Sequence, residues 1–350
     1  MTPAGDARTE AALLICAGGG IGDSLLATVV ARALRDRYAR VDALALPSHR
    51  EALVRVPDLD RVWSDDGQSE IALAECLREQ RYAAAVVTWA TPRTARLAQR
   101  AGIPVRVGQA RRLYSFRFTH RVVVRSELGD VTSRWSEILL DYARALGCDV
   151  RDEGYPRLAS TGEDRREAEE LLAALASEHA ELGSGPSAAF AIVHPTNAVA
   201  PVRGIWPSRG WAALVRAVRE RFGIPVLVSG SRADAEIAGA IVREGGGIPI
   251  AGRTTIGGFA ALAERARFFA GITTGSMHVA AAVGCPTVGI FPFQSDFPER
   301  WAPHARRAAV VRATYPCHPG DTKENCRDYA CIEHLNVPRI LAAIDALAAG

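Results

Sequence analysis

Two turns in this sequence carry residues whose types and spacing could do chemistry. The first is Thr273-Thr274-Gly275-Ser276, set between the apolar run Phe268 to Ile272 and a small-residue helix, Met277 to Val283. Small hydroxyl and glycine residues at a helix start leave backbone N–H groups free to face an anion, typically a phosphate. A nucleotide-phosphate site is the functional reading; an ordinary capped helix is the plainer one, since Thr, Gly and Ser are favoured caps. The second turn is Gly18-Gly19-Gly20-Ile21-Gly22-Asp23, between the apolar strand Ala12 to Ala17 and a helix, Ser24 to Tyr38, with Leu25, Leu26, Val29, Val30 and Leu34 at helical spacing. This is a Rossmann-like opening, but the dinucleotide fingerprint fails, because Asp23 stands where its last glycine belongs and would repel a pyrophosphate. Gly20 and Gly22 therefore read as permitting close approach of an acceptor, and Asp23 as the group presented to it. Asp23 has two readings: a helix N-cap, or a general base aimed at an acceptor hydroxyl and kept ionised by the helix dipole.

The elements that must hold these turns alternate strand and helix twice over. Apolar runs at Val41–Leu46, Ala83–Thr88 and Val105–Gly108 predict strands of a first half, with amphipathic helices at Trp135–Leu146 and Asp164–Glu181 closing it. Gly183-Ser184-Gly185-Pro186-Ser187 has the composition of a linker. Strands at Ala189–His194, Pro225–Ser229 and Ile248–Ala251 then restart the pattern. The expected fold class is α/β, with two Rossmann-like β/α domains facing across a cleft and ligands at the strands' carboxyl ends. The expected division is a disordered tail over 1–10, a first Rossmann-like domain over 11–182, a second over 188–335, and a final helix within 336–350 packing back on the first domain.

Composition narrows the function classes. A chain of 350 residues can build two cores, and a net charge of +3 argues against a general nucleic-acid binder. Of 42 basic residues only Lys323 is a lysine, so phosphate contacts fall to arginine, which can grip oxygens in bidentate fashion. No apolar segment approaches the ~20 residues needed to span a bilayer, and the polar start, Met1 to Glu10, is no signal peptide. Seven cysteines, an odd number, suit a reducing cytoplasm better than a disulfide framework. Arg106, Arg111, Arg112, Arg117, Arg121 and Arg125 interleave with Tyr114, Phe116 and Phe118. Arg111 and Arg112 are candidates for contact with a phosphorylated or acidic acceptor, the alternative being a solvated surface. Asp58-Leu59-Asp60 matches a D-x-D metal pattern but sits at a Pro turn, where acids are ordinary loop residues.

Taken together, these motifs resemble glycosyltransferase family 9, the ADP-heptose:lipopolysaccharide heptosyltransferases. The carriers are Ile15 to Asp23 with Pro57-Asp58-Leu59-Asp60-Arg61-Val62; His194-Pro195-Thr196 with Trp206-Pro207 and Trp211; Gly275-Ser276-Met277-His278-Val279-Ala280-Ala281; and Arg300-Trp301-Ala302-Pro303. The resemblance implies a GT-B fold, a nucleotide-sugar donor held mainly by the second domain, and inversion at the anomeric carbon without a catalytic metal. It implies Asp23 as the base, Thr274, Gly275 and His278 at the donor's diphosphate, and Thr196 nearby. It also implies an acceptor in the lipopolysaccharide inner core, with peripheral contact at the inner face of the cytoplasmic membrane.

Four departures from the family pattern stand out. Its Asp before Thr-Gly is Thr273 here. Its phosphate-binding Lys is missing, with Arg203 the nearest cation, one residue too far upstream. Its acid for the donor ribose aligns with Glu236 or Asp234, of which Glu236 is chosen. Its cysteine cluster is reduced to Cys317, Cys326 and Cys331; with His318 or His334 these could form a structural tetrahedral metal site, and free thiols are the preferred reading. The expectation is a cytoplasmic, metal-independent, inverting glycosyltransferase using ADP-heptose. Another ADP-sugar, a secondary-metabolite or protein acceptor, or a non-catalytic sugar-nucleotide-binding protein are the alternatives. A nicotinamide-dependent oxidoreductase lacks its glycine fingerprint and the acid ending its second strand.

Overall fold

A computed structural model describes residues 10–150, 154–183, 185, 189–195, 206–293, 296–321 and 325–348. The tail expected over 1–10 lies outside them, except for Glu10, whose carbonyl already accepts the Ala39 N–H at 3.0 Å. The chain forms two units, residues 1–158 and 159–350.

The first unit runs β1 (Ala11–Ile15), α1 (Ile21–Leu34), β2 (Arg40–Ala45), α2 (Pro47–Leu53), β3 (Arg61–Ser64), α3 (Glu70–Glu79), β4 (Ala84–Val87), α4 (Pro92–Arg100), β5 (Val105–Gln109), β6 (His120–Val122) and α5 (Trp135–Arg144). Its six strands are parallel, in the order β3-β2-β1-β4-β5-β6. Parallel strands are covered on both faces and so read as continuous apolar runs; Leu13, Ile15, Ala85 and Val87 lie fully buried in this core.

The second unit runs α6 (Gly162–Glu178), β7 (Ala191–His194), α7 (Ser208–Phe222), β8 (Val226–Val228), α8 (Ala235–Gly245), β9 (Ile248–Pro249), α9 (Ile256–Arg265), β10 (Phe269–Ile272), α10 (Gly275–Ala282), β11 (Thr287–Phe291), α11 (Pro298–Trp301), β12 (Ala308–Arg312), α12 (Ala330–Glu333) and α13 (Val337–Ala348). The sheet order is β12-β11-β10-β7-β8-β9, again parallel. Counted from its own first strand, this repeats the order of the first unit. Each sheet therefore reverses direction beside its first strand, between β1 and β4 and between β7 and β10. The crevice outside the carboxyl ends at such a reversal is where open α/β sheets bind ligands.

Two expectations about organisation change. The division falls at 158/159, ahead of α6, and not in the glycine-rich segment at 183–187. The reason is long-range: Glu167 of α6 accepts the N–H and hydroxyl of Thr255 at the start of α9, at 2.7 and 2.6 Å, and Glu264 accepts both donors of Ser160. α13, expected to pack on the first unit, belongs to the second. Its Ile340 and Ile344 enter the core shared by β7, α7 and β11, and Asp345 pairs with Arg221 of α7 at 3.0 Å.

α7 and α8 approach closely because Gly245 has no side chain. A Cβ there would lie 2.7 Å from the Ala212 carbonyl oxygen and 3.0 Å from its Cα, both backbone atoms of the facing helix that cannot swing aside. Gly245→Val should therefore destabilise the fold by about 1–3 kcal/mol, the scale of core overpacking, as read by urea denaturation. A midpoint unchanged from the parent would show that the two helices separate freely.

Candidate active site

Asp23 is the third residue of α1, whose N-cap is Gly20. The helix begins earlier than the apolar spacing predicts, so Asp23 is not the cap. Its Oδ2 instead accepts the Gly20 N–H at 2.8 Å, tying the carboxylate back across the turn. Sequence reasoning expects the helix dipole to favour the ionised form; burial acts against it. Burial outweighs the Gly20 N–H and the acid's own N–H, and raises its pKa above the ordinary carboxylate value. A raised pKa makes it a stronger base at neutral pH.

A pocket of about 10 Å³ adjoins the carboxylate, lined by Cys16, Gly18, Asp23, Thr88, Trp89, Trp135 and Leu139. The glycines that shape it are Gly18 and Gly19. A Cβ on Gly18 would fall 1.9 Å from Trp89 Cδ1, and one on Gly19 would fall 2.7 Å from Asp23 Oδ2. Gly19 also takes φ +67°, a left-handed backbone that glycine tolerates at no steric cost. Gly20 is exposed at the turn, whereas Gly22 is buried in the first turn of α1 and closed to a ligand. Trp89, just past β4, is the residue that sequence reasoning missed; the available signal was an aromatic at the carboxyl end of a fully apolar strand. Behind the turn, Ser24 Oγ donates to the Cys16 carbonyl at 3.0 Å and lies 2.9 Å from His49 Nδ1, which anchors α1 to the end of β1 and to α2. Burial pushes the Cys16 thiol up to about 12, so it stays protonated and is no rival nucleophile.

Arg111 and Arg112 part company. Arg112 is committed to Glu127 at 2.7 Å, while Arg111 is exposed with no acidic partner among the described residues.

In the second unit, Thr273 and Thr274 follow β10, and Thr274 is the N-cap of α10. A Thr in this place ordinarily accepts an N–H from the first turn. Here it makes no such bond, and its Oγ1 is buried without a partner among the described residues. Gly275 opens the helix, whose first-turn N–H groups have no intrahelical acceptor. Half-buried as these residues are, amides and hydroxyl together form an unfilled set of donors. His278, one turn in, is buried, and burial with the neighbouring His304 pushes it down to about 4, so it is neutral at pH 7. It offers hydrogen bonds and no charge. His194, ending β7 beside β10, is fixed by Ser229 Oγ at 3.0 Å.

Glu236 is exposed in the first turn of α8, after β8, while Asp234 accepts the N–H and hydroxyl of Ser231 at 2.7 and 2.5 Å. That leaves Glu236 the freer of the two acids. Thr196 and Arg203 lie outside the described residues. Trp206 and Trp211 pack edge to face at 5.0 Å inside the core, so this pair of the motif is structural.

Among the described residues no group of three or more His, Cys, Asp or Glu could hold a metal ion. Cys331 turns into the core, Cys317 is exposed, and Cys326 Sγ accepts the Tyr329 N–H at 3.3 Å.

The sequence profile of glycosyltransferase family 9 (heptosyltransferase) matches residues 71–330. No curated protein sequence matches. Solved structures do. A glycosyl transferase family 9 protein from Veillonella parvula DSM 2008 superposes with a TM-score of 0.80 at 18% identity, covering 98% of both chains. The ADP-heptose lps heptosyltransferase II of E. coli gives 0.76 at 21% identity, over 96% of this chain and 98% of that one. The E. coli heptosyltransferase WaaC with ADP gives 0.71 at 16% identity, over 97% and 100%. Two parallel six-stranded sheets with flanking helices are thus the GT-B architecture of the heptosyltransferase structures.

Proposed function

The chain belongs to glycosyltransferase family 9 and is a glycosyltransferase, and from that premise we propose that it moves a heptose from ADP-heptose to an acceptor hydroxyl with inversion. The observation that carries the chemistry is Asp23, a partly buried carboxylate with a raised pKa, held at the reversal of the first sheet. The acceptor oxygen attacks the anomeric carbon, and its proton passes to the Asp23 carboxylate. The bond from that carbon to the diphosphate oxygen breaks, and the electron pair leaves with ADP. Trp89 walls one side of the pocket beside the base.

Charge on the departing diphosphate is met by donors fixed before the reaction, which is where electrostatic preorganisation is most effective. The first-turn amides of α10 and the unpaired Thr274 hydroxyl supply them. Thr273 takes the place of the family's acid, and neutral His278 adds a hydrogen bond. Thr196 and Arg203 complete the diphosphate contacts, Arg203 replacing the missing lysine, and Glu236 takes the donor ribose. No divalent ion is required in this scheme. The acceptor is a lipopolysaccharide inner-core hydroxyl, reached by peripheral contact at the inner face of the cytoplasmic membrane. Among the described residues no helix is long and apolar enough to cross a membrane.

Calorimetric titration with ADP, UDP, GDP and NAD in the presence of EDTA tests this reading. Selective ADP binding is expected. A preference for UDP or GDP would keep the fold and overturn the donor, and an ADP affinity that collapses with EDTA would overturn metal independence. ADP binding without turnover of any ADP-sugar would favour a non-catalytic binding protein.

A further inference from the structure

The segment between β5 and α5 carries large apolar side chains that the fold does not use. Leu113 is 99% exposed, Phe116 and Leu128 each 63%, and Val131 53%. Single exposed apolar residues are normal on soluble proteins; several within one short segment mark a contact surface. Leu113 is also held out by a well-tied turn. Ser115 Oγ donates to the Gln109 carbonyl at 2.6 Å, the Ser115 N–H bonds the Arg112 carbonyl at 3.0 Å, and the Tyr114 hydroxyl donates to the Ala90 carbonyl. The Arg112–Glu127 pair joins this turn to the helical turn that ends in Leu128.

The charge around these side chains is one-sided. Residues 105–134 contain seven arginines and two acids, a formal +5 (7 − 2) in a chain whose total is +3. Both acids are already engaged, Glu127 by Arg112 and Asp130 by Ser133 and Arg125. Arg111, Arg121 and Arg134 are exposed with no acidic partner among the described residues. Apolar tips among unpaired arginines suit an anionic lipid surface: leucine and phenylalanine enter the headgroup–acyl boundary while guanidinium groups meet phosphates.

We propose that this segment docks the first unit on anionic bilayer lipid, with Leu113 and Phe116 as the inserting side chains. The turn leaves the carboxyl end of β5, the same sheet edge that carries Asp23 beyond β1 and Trp89 beyond β4. Tyr114 fastens it to Ala90, the neighbour of Trp89. Docking here turns the edge bearing the base toward the lipid. The inference deepens the reading of a membrane-borne acceptor, and rests on that reading only for the acceptor's location.

The test is co-sedimentation of the full chain with vesicles of mixed phosphatidylglycerol and phosphatidylcholine, against phosphatidylcholine alone. Binding to the mixed vesicles only, weakening as salt rises, is expected, with a loss of roughly tenfold or more in the double variant Leu113→Ser, Phe116→Ser. Absence of binding to mixed vesicles, or unchanged binding by the double variant, overturns the proposal. So does a parent dimer that the double variant converts to monomer without any vesicle binding, which would assign the patch to a second copy of the chain. A urea-denaturation midpoint unchanged from the parent shows that the double variant is folded. If it is not, Leu113→Trp takes over, and an emission spectrum unmoved by mixed vesicles overturns the proposal. None of these readouts depends on donor choice or turnover, so their failure is separable from failure of the glycosyltransferase reading.

Discussion

Replacing Asp23 with asparagine is expected to lower turnover by about 10²- to 10⁴-fold, the usual contribution of a positioned general base, while ADP affinity stays unchanged. Asparagine keeps an oxygen to accept the Gly20 N–H, so the turn survives and only proton acceptance is lost. A matching pH signature is expected of the parent enzyme. If Asp23 is the base, the rate should fall on the acid side as it takes up a proton, with a midpoint shifted upward from the ordinary carboxylate value by burial. The same shift has a stability consequence of opposite sense. An acid whose folded pKa exceeds its unfolded value binds more protons when folded, so its contribution weakens stability as pH rises through that window. Asp23→Asn should therefore leave the fold at neutral pH as stable as the parent, or more so. Full turnover in the asparagine variant would remove Asp23 from the mechanism.

Thr274→Val is expected to separate binding from stability. The hydroxyl is buried and unpaired among the described residues, and such a group is destabilising by about 1–3 kcal/mol when left so. Valine keeps the branched shape and suits the extended backbone at this cap, φ −143° and ψ 173°. Urea denaturation should show no loss, and a gain is consistent with the same cause. ADP affinity, read by calorimetry, should fall by about 1.5–3 kcal/mol, the range for a hydrogen bond to a charged group. Normal ADP affinity in the valine variant would mean that the hydroxyl does not face the diphosphate.

The two sheets were legible in the sequence because their strands are covered on both faces: Ala12 to Ile15 and Ala84 to Val87 can be nothing but apolar. The turns were legible because glycine and small hydroxyl residues concentrate where a strand hands over to a helix at a sheet reversal. Asp23 and Thr274 were found that way. What their surroundings do to them was hidden, since burial is set by residues distant in sequence. The raised pKa of Asp23 and the neutral state of His278 depend on such packing. Trp89 escaped notice because nothing local says that its ring lies over Gly18, 71 residues earlier (89 − 18). The arginine run looked like a uniform patch until the Arg112–Glu127 and Arg125–Asp141 pairs divided it into structural and unpaired members.

The attachment of α6 to α9 sets the seam along which this enzyme can be recombined with its relatives. A second unit cut at the glycine-rich 183–187 segment would leave behind Glu167 and Ser160, and with them four hydrogen bonds to Thr255 and Glu264. The start of α9 would then carry unanswered donors, and Gly258 would lose the carboxylate that lies against it. Chimeras meant to pair one member's acceptor with another's nucleotide sugar are better joined ahead of Ala159, so that the exchanged module takes its own buttress with it.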